Sequence, residues 1–101
     1  MNTIQAVTIF GRLGADPELR YTPNQKPVCT FSIAENLQGS DKPIWHRIVV
    51  WGKQGEDSKL HLKKGTAVFV RGRNQVGQFD SKDGLKSTTE LIAEFVGLPI
   101  L

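Results

Sequence analysis

At 101 residues the chain is the size of one domain, long enough to bury roughly two thirds of the surface its unfolded form exposes and too short for a second core. Hydrophobic residues make up 39% and charged residues 23%, no run is long and apolar enough to cross a bilayer, and the stretch MNTIQAVTIF lacks the basic and apolar segments of a secretory signal. The expectation is therefore a soluble, cytoplasmic protein without a membrane partner: the single cysteine, Cys29, excludes an intramolecular disulfide, and 13 Lys and Arg against 10 Asp and Glu give a formal charge of +3 that suits an acidic partner without specifying one.

Residues 3–10 alternate as a strand, with Ile4, Ala6, Thr8 and Phe10 on one side and Val7 and Ile9 on the other, and Gly11 and Gly14 are expected to break it. Asp16, Pro17, Thr22, Pro23, Asn24 and Pro27 punctuate a connecting stretch, in which residues 19–21 can continue edge pairing without forming a full strand. A second strand spans 28–36, with Cys29, Phe31 and Ile33 opposed to Thr30, Ser32 and Ala34. Residues 37–43 have the composition of an exposed hairpin tip, and the β-rich run 44–51 is the third strand. Polar residues surround Leu60 and Leu62 over 53–64, which predicts one short helix with Gly65 at its C-cap. Alternation returns over 66–75, Ala67 with Phe69 against Val68 with Val70. Lys82, Asp83 and Gly84 mark a turn, and residues 85–96 form the last strand. The sum is an all-β, single-domain chain over residues 1–101, a five-stranded barrel with one short α-helix between strands 3 and 4, for which an OB-fold is the natural candidate.

The most informative stretch is WHRIVVWGK, residues 45–53. Strand periodicity places Trp45, Arg47, Val49 and Trp51 on one face and His46, Ile48 and Val50 on the other. Aromatics are usually buried, so a core role for both tryptophans is the competing reading, with Arg47 as a solvated neighbour. Burying Arg47 unpaired would cost several kcal/mol, which favours a groove over an interior. Bases of a single strand stack on aromatics for about 1–3 kcal/mol each, and their phosphates need nearby positive charge. Phe79, in the polar hairpin GQFDSKDG, has little core to fill and is a further stacking candidate, with packing as its equal alternative. Tyr21 is open between a binding role and packing against a neighbouring strand or subunit. The two histidines, His46 and His61, fall on different elements, Cys29 is solitary, and no GxSxG, HExxH or P-loop pattern occurs, so no catalytic site, metal or cofactor is expected.

The blocks GRLGADPELRYTPN, FSIAEN, WHRIVVWGK, LKKG, VFVRGR and KSTTE, collinear over nearly the whole chain, resemble the bacterial single-stranded DNA-binding protein family. The resemblance implies an OB-fold that assembles into homo-oligomers, typically tetramers, and binds and protects single-stranded DNA in replication, recombination and repair. It implies stacking aromatics at Trp45, Trp51 and Phe79, phosphate contacts at Arg47, Lys53, Lys64, Arg73 and Lys86, and a subunit-interface role for His46, with Tyr21 a second interface candidate. Three departures stand out. The loop 38–43 is short, with Leu37 and Gly39 where many members carry an aromatic or basic cluster. Gly77 and Gln78 replace basic residues before Phe79, and the family's acidic C-terminal tail is missing, so recruitment of repair proteins through such a tail is not expected of this chain. The alternative reading is a dimeric primosomal, replication-restart OB protein that acts mainly through protein partners.

Overall fold

The structure is a computed structural model describing residues 6–36, 38–81 and 84–100; for residues 77–81 and 85–88 it is the backbone that is described. The elements in chain order are β1 (Val7–Leu13), β2 (Glu18–Tyr21), β3 (Pro27–Glu35), β4 (Ile44–Trp51), α1 (Lys53–His61), β5 (Ala67–Ser81) and β6 (Gly84–Gly97). The strands run in the order β1-β5-β6-β4-β3-β2, and β1 also pairs with β3. That extra pairing closes β1, β5, β6, β4 and β3 into a five-stranded barrel, leaving β2 as an edge ribbon on β3. All ladders are antiparallel except β4 with β6, which is parallel. The expected barrel is present, with the helix between its third and fourth barrel strands in chain order.

Alternation puts the core where the sequence pattern places it. Cys29, Phe31 and Ile33 of β3, Ile48 and Val50 of β4, Ile9 and Leu13 of β1, and Val68 and Val70 of β5 form one buried cluster with Leu62 and Leu91. α1 packs against β2, β3 and β4, and Leu62, immediately after it, enters the core.

Two local expectations are corrected. Gly11 does not break β1: the strand continues to Leu13, and Gly11 lies where β1 crosses onto β3, so that a Cβ there would meet the Ala34 carbonyl and the Ile33 side chain. A residue with a side chain would have to force β1 and β3 apart at this point. Gly65 is not the helix C-cap. The cap is Leu62, in extended conformation, with its N–H donated to the Ser58 carbonyl. Gly65 instead adopts a φ of 88° in the next turn, where its N–H reaches the Leu13 carbonyl at 2.8 Å.

Candidate nucleic-acid interface

The outer face of the sheet is built on β4. Pairing with β3 sets Trp45 opposite Ala34, Arg47 opposite Ser32, Val49 opposite Thr30 and Trp51 opposite Val28. Trp45 is 57% exposed and Trp51 47%, while Ile48 and Val50 on the other face are fully buried. The core reading of the tryptophans is therefore excluded. Val49 shares their side of the strand but is buried, and forms an apolar floor between the exposed rings. Six residue steps of strand separate the two indoles, roughly 20 Å along β4, a span for several nucleotides and not one base step.

The Trp45 ring is held edge-on to the β1–β2 connection. A Cβ on Gly14 would lie 2.5 and 2.6 Å from the ring atoms Cζ3 and Cη2, so the indole occupies the space that the missing side chain leaves. Beside the ring lies an open cleft of about 360 Å³, lined by Gly14, Glu18, Thr30, Ser32 and Arg47 among others. Its mixture of hydroxyls, a carboxylate, a guanidinium and an indole suits a polar planar group.

The basic residues expected at the interface fall in distinct places. Arg47 donates from Nε to Glu90 Oε2 at 2.7 Å, because the parallel register makes the two direct cross-strand neighbours. Arg73 on β5 pairs with Ile92 of β6, which in turn pairs with Val49 of β4, so Arg73 shares the outer face with Arg47. Its Nε lies 3.6 Å from Glu94 Oε2. Lys53 opens α1 and reaches Asp57 Oδ1 at 3.1 Å one turn along the helix. Lys64 is exposed in the turn after α1, and its backbone N–H donates to Asp16 Oδ1 at 2.8 Å, which ties that turn to the loop between β1 and β2. Phe79 and Lys86 are direct Cα partners on the β5–β6 hairpin, and their side chains lie outside the described residues.

The residues expected at a subunit contact make bonds within the chain. His46 Nε2 is 3.0 Å from Glu35 Oε1, both partly exposed, at the end of the inward-facing row of β3 and β4. The Tyr21 hydroxyl donates to Glu56 Oε2 at 3.0 Å, and this bond to a carboxylate holds the phenol above its ordinary pKa. Tyr21 remains 53% exposed.

One feature of the surface escapes a reading of the sequence. Phe10 on β1 is directly opposite Phe69 on β5, their ring centroids 4.6 Å apart, and Phe95 of β6 lies beyond them, all three substantially exposed. Thr8, Arg71, Phe69 and Phe95 bound a groove of about 490 Å³ on this side. The available signal was that Phe10 shares its side of β1 with Thr8 and Arg12, a polar stripe on which a buried ring has no place.

Among the described residues no group of three His, Cys, Asp or Glu could hold a metal ion. The thiol of Cys29 is inside the barrel and burial pushes its pKa up, the opposite of what activates a nucleophile. No helix among the described residues is long and apolar enough to cross a membrane.

A closed five-stranded barrel with exposed tryptophans and arginines on one sheet face defines an OB-fold carrying an aromatic and basic surface. Residues 4–99 match the Single-strand binding protein family, and the chain belongs to that family. It is 39% identical over 93 residues to a single-stranded DNA-binding protein of Neisseria meningitidis serogroup A, covering 85% of this chain and 53% of that protein. Against those of Halalkalibacterium halodurans and Bacillus cereus it is 40% identical over 99 residues and 41% over 96, covering 92% and 89% of this chain and 59% and 56% of theirs. The chain thus spans little more than half the length of these relatives. The family is one of binding proteins and not of enzymes.

Proposed function

We propose that this chain binds single-stranded DNA without strong sequence preference, by stacking bases on Trp45, Trp51 and Phe79 and neutralising phosphates with Arg47, Lys53, Lys64, Arg73 and Lys86. The observation that carries the reading is the pair of exposed tryptophans with Arg47 between them on one face of β4. Every base offers a π-face, so stacking tolerates sequence, and a duplex hides those faces within its own stack. Arginine and lysine at fixed positions follow the backbone, which carries no sequence information. Such a surface would protect exposed strands during bacterial replication, recombination and repair, in the cytoplasm at the nucleoid; the support from the relatives is that they are named single-stranded DNA-binding proteins.

The active species is a homo-oligomer, a tetramer in preference to a dimer, with His46 and Tyr21 at subunit contacts. Support for self-association comes from the exposed aromatic surface at Phe10, Phe69 and Phe95, larger than the scattered apolar residues an isolated monomer normally leaves in water.

The test is intrinsic tryptophan fluorescence during titration with a thymine oligonucleotide, with matched duplex as control. Quenching by the single strand alone is expected. Absence of quenching and of affinity at low salt would mean that the tryptophans belong to a protein contact.

A further inference from the structure

We infer that Glu90 and Glu94 of β6 are built-in competitors for DNA phosphate, holding Arg47 and Arg73 in the unliganded chain so that binding proceeds against two carboxylates already in place. The inference rests on the single-strand-binding reading of this face. Its basis is that the two arginines assigned to phosphate are both ion-paired, at 2.7 Å to Glu90 and 3.6 Å to Glu94. Both carboxylates come from the strand lying between β4 and β5, and the Arg47–Glu90 pair follows directly from the parallel register.

A carboxylate and a phosphate present the same kind of acceptor to a guanidinium. If the phosphate displaces Glu90, a carboxylate that is only 25% exposed is left without its partner. If it binds the remaining N–H groups of Arg47, its charge sits beside that of Glu90. Either course opposes binding, and both are relieved by removing the carboxylate charge. The Glu90 pair is shorter and better covered than that of Glu94, whose side chain is 51% exposed, so Glu90 exerts the larger effect.

Salt dependence follows from the same exchange. Phosphate neutralisation alone makes log affinity fall with log salt at about 0.7 per contact on a single strand. Salt also screens the internal pairs, so the cost of opening them shrinks as salt rises. The two trends partly cancel, and the chain holds DNA less tightly at low salt, and over a flatter salt range, than its arginines alone would. A strand bound in this way is also released more readily to whatever acts on it next.

The experiment is a titration of the full chain with a thymine oligonucleotide over a series of sodium chloride concentrations, for the natural sequence, Glu90→Gln, Glu94→Gln and the double variant. Glu56→Gln, which adds the same unit of charge on α1 away from both arginines, controls for net charge. Glutamine keeps the shape and a hydrogen-bond acceptor, and thermal melting verifies the fold. Glu90→Gln is expected to bind about two- to five-fold tighter at low salt, the range an exposed ion pair supports, with a smaller gain for Glu94→Gln. The log–log salt plots of the variants are expected to be steeper, the gain fading as salt rises. Weaker binding by Glu90→Gln would overturn the inference by making Glu90 a positioning residue for Arg47. Unchanged binding, or an equal gain in Glu56→Gln, would overturn it as well. Failure of the natural chain to bind at all would count against the single-strand-binding reading, a separate outcome visible in the same titration.

Discussion

At the scale of single residues the proposed interface rests on two exposed indoles and on what keeps one of them in place. Replacing Trp51 or Trp45 by Ala should each cost about 1–3 kcal/mol of oligonucleotide affinity, the range for one stacked base, with the melting temperature nearly unchanged because both rings are about half in water. Titration with a labelled oligonucleotide measures both. Gly14→Ala should displace the Trp45 ring, since the new methyl group would lie 2.5 Å from Cζ3. A changed Trp45 emission in the Trp51→Phe background and weaker binding are the expected signs, and unchanged emission would show that the ring does not rest on Gly14. Tyr21, the chain's single tyrosine, offers a clean titration. Its phenol is held up chiefly by donation to Glu56, so phenolate should appear in ultraviolet absorbance at higher pH than for a free tyrosine. The raised folded-state pKa means that this bond contributes fully below the unfolded tyrosine pKa and is lost as pH rises through the folded one. Glu56→Ala should bring the phenol back down. The β4 side of this interface was legible because alternation alone separates Trp45, Arg47 and Trp51 from Ile48 and Val50. Its anionic side was not: Glu90 lies 43 residues from Arg47, and a parallel register between distant strands leaves no local trace.

At the scale of elements the strands announced themselves by period and the helix by its interruption of that period. β4 runs over the residues expected of it, and the two faces of β3 are those that the pattern assigns. What the pattern could not supply was tertiary. Gly11 reads as a breaker because glycine is a poor strand former, yet the barrel needs it where the Ala34 carbonyl approaches β1. Gly11→Ala should therefore destabilise the fold by about 1–3 kcal/mol, the cost of overpacking, by forcing apart the β1–β3 pairing at Arg12 and Leu13. Thermal unfolding measures the loss, and an unchanged melting temperature would mean that the closure has slack. Phe95 shows the same limit. Leu91 is buried and Ala93 packs against the core, so continued alternation turns Phe95 inward. The register of β6 against β5 instead shifts between Arg71 and Gly72, so that Ala93 is opposite Gly72 and Phe95 opposite Arg71. The extra residue, Glu94, reverses the parity of all that follows, sending Phe95 out and Val96 in.

At the scale of the whole molecule that irregularity keeps both stretches of β6 on the outside of the barrel. Before it, Glu90 and Ile92 belong with Trp45, Arg47 and Trp51; after it, Phe95 belongs with Phe10 and Phe69. Phe10, Phe69 and Phe95 lie on β1, β5 and β6 and the tryptophans on β4, so self-association centred on the three phenylalanines would leave the tryptophans of each subunit open. Several such faces on one assembly would bind a long strand multivalently, because once one face has engaged, the next segment of the strand is held at high effective concentration near its neighbour. Phe95→Glu tests this coupling with little risk to the fold, since the ring is 57% exposed and the core lies on the other side of the sheet. Placing a carboxylate in an apolar contact should lower the mass seen in sedimentation while leaving thermal unfolding cooperative. Affinity for an oligonucleotide that spans a single face should stay within about two-fold, the range of a surface substitution away from the site. Affinity for a strand several times longer should fall by tenfold or more, since avidity commonly contributes on the order of 10²-fold or greater. If the mass falls and long-strand affinity does not, the subunits bind independently and the aromatic surface serves assembly alone. If the mass is unchanged, the subunits meet elsewhere, and the contacts of His46 and Tyr21 become the place to look.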